Sequence, residues 1–101
     1  MEQPYKPGTL LLVKECRNFL WQPHWSIYWH YLSGDHNKSK FIYVIKNDIL
    51  MFVELLDAKK FVALDVKLKY IIAFLYEGKL IWDGVNDNHL IDIKESLEIS
   101  I

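Results

Sequence analysis

Short apolar or alternating runs, separated by clusters of turn-forming residues, make up most of this 101-residue chain. That is the pattern of strands and turns. The clearest unit runs from Val66 to Asp83, where an arm rich in β-branched and aromatic residues (Val-Lys-Leu-Lys-Tyr-Ile-Ile-Ala-Phe-Leu-Tyr) reaches Glu77-Gly78 and continues as Lys-Leu-Ile-Trp-Asp. Gly78 can take a left-handed conformation without steric cost, so the pattern predicts a β-hairpin turning there. Because Glu77 is a poor occupant of positive φ, the expected connection is a type I turn closed by a Gly78 bulge, in preference to a two-residue primed turn.

Along the rest of the chain, Pro4, Pro7 and Gly8 punctuate an extended leader, and Thr9 to Glu15 reads as a first strand. Cys16 to Gln22 lacks clean alternation and meets Pro23, so a loop is expected there. Trp25 to Tyr31 alternates well, with Trp25, Ile27, Trp29 and Tyr31 on one face and Ser26, Tyr28 and His30 on the other. Ser33 to Ser39 is a run of turn formers and charges, Phe41 to Ile45 a short strand, and Lys46-Asn47-Asp48 a turn. Ile49 to Leu56 could be a helix capped by Asp48 or a buried strand; the expectation is strand. Ala58 to Lys60 reads as a simple connection to Phe61 to Asp65. Gly84 to Asn88 reads as a loop, Leu90 to Ile93 as a closing strand, and Lys94 to Ile101 as a frayed strand or a single helical turn. The resulting fold class is all-β: one small domain over residues 1 to 101, a small barrel or β-roll of about five to seven short antiparallel strands.

Phe74-Leu-Tyr-Glu-Gly-Lys-Leu-Ile-Trp82 followed by Asn88-His-Leu-Ile-Asp-Ile93, together with the opening Lys6-Pro-Gly-Thr-Leu-Leu-Leu-Val-Lys14, resembles an SH3-like small β-barrel of the kind found in short bacteriophage accessory proteins. The resemblance covers the first strand and the last third of the chain. In members that bind proline-rich peptides the pocket is lined by aromatic rings, and the resemblance carries that role to Tyr76, Trp82 and His89.

Composition adds one feature that the strand pattern does not. With four Trp, six Tyr and five Phe, the aromatic share of 15% is high, and a domain of this size has too little interior to bury every ring. Trp21, Trp25, Tyr28, Trp29 and Tyr31 are concentrated in one stretch, and Trp and Tyr bring large contact area at low entropic cost. An interaction surface is therefore expected there, with a two-fold dimer through part of Trp21 to Tyr31 as the simplest use of it. The formal net charge of -1 supplies no global field for nucleic acid or an anionic membrane. No apolar run approaches the roughly 18 residues needed to span a bilayer, and the lone Cys16 forms no internal disulfide. A cytoplasmic, soluble protein is the expectation, with Cys16 a buried apolar thiol.

Candidate chemistry is sparse. His24, His30 and His36 are evenly spaced, but no paired Cys motif or His-Glu-x-x-His helix accompanies them, so no metal is expected. No phosphate loop or nucleophile elbow occurs, and no cofactor or catalysis is expected. The expected function is a non-enzymatic protein-binding module, of phage accessory or inhibitor type, that occupies a partner's surface; the partner is a host protein or a second copy. The alternative is a nucleic-acid-binding small barrel that uses Lys38, Lys40, Lys59 and Lys60 for phosphates and exposed rings for stacking, against which the charge balance weighs.

Overall fold

The structure, a computed structural model, describes residues 3–21, 40–60, 69–85 and 92–100. These residues form seven strands: β1 (Leu10–Val13), β2 (Arg17–Trp21), β3 (Lys40–Val44), β4 (Ile49–Asp57), β5 (Tyr70–Tyr76), β6 (Lys79–Val85) and β7 (Leu97–Ile99). A 3-10 turn at Ala58–Lys60 follows β4, and one helical turn over 92–95 precedes β7. All pairings are antiparallel, and the strands lie in the order β3-β2-β6-β5-β4-β1-β7. The fold is all-β, a curled half-barrel compatible with an SH3-like barrel. Among the described residues no helix is long and apolar enough to cross a membrane.

The curl is visible in what the strands share. One buried cluster takes Leu11 and Val13 from β1, Phe19 from β2, Val44 from β3, Leu50, Phe52 and Leu55 from β4, Ile72 and Phe74 from β5, Ile81 and Val85 from β6, and Leu97 from β7. Strands at opposite ends of the order therefore meet in one core. β4 helps to bend the sheet: Phe52 pairs with Phe74 and Glu54 with Ala73, so Val53 has no opposite number, and such a bulge sharpens local twist. The leader tracks the same strand. Gly8 N–H donates to the Phe52 carbonyl at 2.8 Å, and the Gln3 amide both donates to and accepts from the Leu55 backbone at 3.0 and 2.7 Å.

β5 shows why alternation fails as a guide at the centre of this sheet. Ile72 and Phe74 point into the main core, while Ile71 and Ala73 join Leu20, Ala58 and Trp82 in a second buried cluster on the other face. A strand buried on both sides reads as a continuous apolar run. The same cause overturns the loop expected at Cys16 to Gln22. Arg17–Trp21 is β2, an inner strand between β3 and β6, with Phe19 and Trp21 against one cluster and Leu20 in the other. Arg17, lying over the Phe19 ring at 5.1 Å, donates to Asp83 of β6 and ties the rim of the core together.

Ile49 to Leu56 is a strand, as expected, and does not form a helix. The closing segment is displaced from its expected place. Gly84 and Val85 belong to β6 and not to a loop; Asp92 and Ile93 lie in the helical turn and not in a strand; the last strand is Leu97–Ile99. Leu97 takes the buried position opposite Val13, and Ser96 caps the turn by donating to the Asp92 carbonyl at 2.8 Å. Expected elements at Trp25 to Tyr31, Ser33 to Ser39, Phe61 to Asp65 and Val66 to Leu68 lie outside the described residues.

The hairpin forms where predicted, but its turn differs. Tyr76 pairs with Lys79, which leaves only Glu77 and Gly78 in the loop, and both have positive φ, at 49° and 77°. This is the primed two-residue geometry, chosen because its twist matches the flanking strands, and Glu77 accepts an unfavourable conformation to complete it. No atom approaches within 4 Å of a Cβ built on Gly78, so any cost of a side chain there is backbone strain alone. Gly78→Val should lower stability by about 1 kcal/mol or more, and Glu77→Asn should raise it by a few tenths, because Asn tolerates the left-handed region. Urea midpoints at constant slope measure both; a Gly78→Val midpoint equal to the parent's would contradict the turn.

Candidate functional site

Trp21 closes β2 at the rim of the core, half-buried and not on a loop as its surroundings in sequence had suggested. Its cross-strand neighbours are Lys40 on β3 and Ile81 on β6. Lys40 Nζ lies 5.3 Å and Lys79 Nζ 5.9 Å from the ring centroid, so one aromatic surface carries two ammonium groups from the flanking strands. Neither lysine has a carboxylate partner among the described residues. Cation–π attraction offsets part of their mutual repulsion, and the result is a local concentration of positive charge beside a ring.

Tyr76 sits at the end of β5, directly opposite Lys79, with its hydroxyl donating to Asp48 Oδ2 at 2.7 Å. Trp82 is 1% exposed and packs with Leu20, Ala58, Ile71 and Ala73. Its ring fills the second cluster and offers no contact area to a partner, which corrects the role the resemblance had given it. The reason is register: Trp82 pairs with Ala73 and Leu20, and lies on the opposite face from Ile81. Tyr76 and Trp82 thus do not share a pocket. Trp25, Tyr28, Trp29, Tyr31 and His89 lie outside the described residues.

The residues most open to a partner are ones the sequence had not singled out. On β3, Ile42 packs against the core and Val44 lies within it, while Phe41 and Tyr43 point outward at 58% and 59% exposure, and Ile45 just beyond them is 51% exposed. Leu10 and Ile49 are also largely exposed on the outward side of β1 and β4. A signal was present in Phe41-Ile-Tyr-Val-Ile45, which is apolar on both faces. Only packing could say which face stays open.

Cys16 lies beside this stripe and is exposed, not the buried thiol expected. The Tyr43 hydroxyl, followed by the Lys46 backbone N–H, hydrogen-bonds its sulfur and holds the thiol below its ordinary range; Tyr43 is raised in turn. The short link between β1 and β2 places Cys16 there, where no core residue surrounds it.

The Tyr76–Asp48 contact has a pH signature. Its hydrogen bond to the Asp48 carboxylate, aided by burial, pushes the Tyr76 phenol up to about 12 from its ordinary 10.0. A raised phenol stabilises the fold below pH 10.0, where both states are protonated, and that contribution is lost as pH climbs towards 12 because the unfolded chain ionises first. Tyr76→Phe should therefore be less stable than the parent at neutral pH and lose less stability between those two values. Denaturant midpoints across the alkaline range measure this; parallel curves for the two proteins would contradict the contact.

No protein-family model, no curated protein and no solved structure matches this chain, so its geometry alone supports a functional reading.

Proposed function

We propose that this chain is a non-enzymatic protein-binding module that acts by occupying a partner's surface, in the manner of the phage accessory and inhibitor proteins whose SH3-like barrels it resembles. The observation that carries this reading is the outward stripe Phe41, Tyr43 and Ile45 on β3, three large apolar side chains each more than half exposed. Exposed rings supported by a rigid strand suit a partner's apolar surface: they bring area without the entropic cost of ordering a loop. A cytoplasmic setting belongs to the same proposal, since the exposed Cys16 would remain a free thiol there.

The test uses a photo-crosslinking amino acid at position 43 and, separately, the Phe41→Ser, Tyr43→Ser double variant. A specific adduct from position 43, absent when the probe is placed at exposed Lys59, supports the reading. The double variant should keep the parent's circular dichroism, because neither ring is in the core, and should bind the captured partner at least about tenfold more weakly. Equal crosslinking from both positions would overturn the reading.

A second reading, nucleic-acid binding, is favoured by the Lys40–Trp21–Lys79 arrangement, where phosphates could meet the two ammonium groups and a base could lie against the ring. It predicts saturable binding of a single-stranded oligonucleotide at low salt. Affinity should fall with a logarithmic slope of about -0.7 per phosphate neutralised, and Lys40→Glu with Lys79→Glu should flatten that slope. No binding at low salt, or a slope unchanged in the double variant, would remove this reading.

A further inference from the structure

β4 is the longest described strand, and β1 covers only the first part of its outer edge, pairing with Ile49 to Met51. Among the described residues no strand continues along that edge. Main-chain groups alternate between the two edges of a strand, and Ala58 N–H donates to the Lys69 carbonyl at 3.1 Å on the β5 side. Asp57 and Leu55 therefore turn their N–H and C=O to the outer edge. The Val53 bulge resets the alternation and brings Phe52 to that edge as well. Each of the three is met differently. At Phe52 the partners are main chain, with Gly8 N–H donating to its carbonyl at 2.8 Å and its N–H donating to the Thr9 carbonyl at 2.9 Å. At Leu55 the partner is a side chain: the Gln3 amide, at 3.0 and 2.7 Å, donates and accepts as a strand residue's own amide would. At Asp57 the N–H and C=O meet no group among the described residues.

We propose that the outer edge of β4 at Leu55 and Asp57 is a strand-addition site for an extended peptide segment of a protein partner, with the Gln3 side chain as the stand-in that such a peptide displaces. This goes beyond the outward stripe of β3, which is a different surface. Leu55 and Asp57 lie two residues apart, the spacing at which an added antiparallel strand exchanges hydrogen bonds with its neighbour. Only the exposed Gln3 has to withdraw. The rest of the leader stays in place, held by Tyr5 against Phe52 at 5.5 Å and by the bonds of Gly8 and Thr9 to Phe52. Recognition is by main chain first, and one side-chain preference follows from register. Leu55 points into the core, so the peptide residue opposite it, which shares that face, is apolar and turns its own N–H and C=O towards β4.

The experiment is amide hydrogen exchange of the full chain, followed residue by residue by nuclear magnetic resonance, with a capped peptide of alternating Val and Thr that carries a Lys at each end. At saturation the peptide should slow exchange of the Asp57 amide about tenfold or more and leave Lys40–Val44 and Leu97–Ile99 unchanged. Gln3→Ala removes the competing amide, so this variant should bind the peptide about fivefold or more tightly than the parent does. N-methylation of every Val should abolish binding, because those amides face β4; N-methylation of every Thr should leave it intact. A thermal melt confirms that Gln3→Ala folds. Failure of both the parent and Gln3→Ala to bind overturns the inference, as does protection at β3 or β7 in place of Asp57. An affinity indifferent to Gln3→Ala, or equal binding of the two methylated peptides, overturns it too. The Phe41→Ser, Tyr43→Ser double variant should bind this peptide as the parent does, so the outcome here and the position-43 crosslink are read independently.

Discussion

A row of aromatic rings runs through the middle of this curled half-barrel, and the rest of the sheet is shaped around it. Phe74 on β5 meets Phe19 at 5.5 Å and Phe52 at 6.3 Å, and Phe52 meets Tyr5 of the leader at 5.5 Å, all in edge-to-face geometry. Each pair contributes about 0.5–1.5 kcal/mol beyond the area it buries. The contact between Phe19 and Phe74 matters most, because β6 lies between their strands in the sheet. Two rings can meet over an intervening strand only if the sheet curls, and the Val53 bulge and the paired leader hold that curl on the β4 side.

Curling has a second consequence. It gives the sheet an inner face that is full and an outer face that is only partly covered. Trp82, Ile71, Ala73, Leu20 and Ala58 are buried on that outer side, while Phe41, Tyr43, Leu10 and Ile49 remain open. Among the described residues the rings noticed in the composition are thereby divided. Phe19, Phe52, Phe74 and Trp82 are buried; Tyr5, Trp21, Tyr70 and Tyr76 lie half-buried at the rim; Phe41 and Tyr43 face solvent. The open rings and the lysine-flanked Trp21 are where the molecule has contact area and charge to offer.

Charge placement then separates ways of using that area which composition could not separate. With 12 basic and 13 acidic residues the total says nothing about partners, yet Lys40 and Lys79 are brought together beside Trp21. Direction and spacing of charges, more than their sum, set which surfaces can meet.

Features that depend on neighbours in sequence were legible without coordinates. The Gly78 hairpin, the turn at Lys46 to Asp48, the strand character of Ile49 to Leu56 and the all-β class all follow from local conformational preference and short apolar runs. The turn type at Glu77-Gly78 did not, because strand twist outweighed the preference of Glu77 against positive φ. Nor did β2, whose Phe19 and Leu20 are buried in opposite clusters and so mask the alternation, nor the helical turn at Asp92 and Ile93, where a strand was expected. The candidate site was the least legible part. Trp82 and Phe41 both pair with Leu20 and so share the outer face of the sheet, yet Trp82 is covered in the second cluster and Phe41 stays open, a difference that only packing between strands distant in sequence decides. A one-residue slip in either pairing would turn the ring concerned from the outer face to the core face.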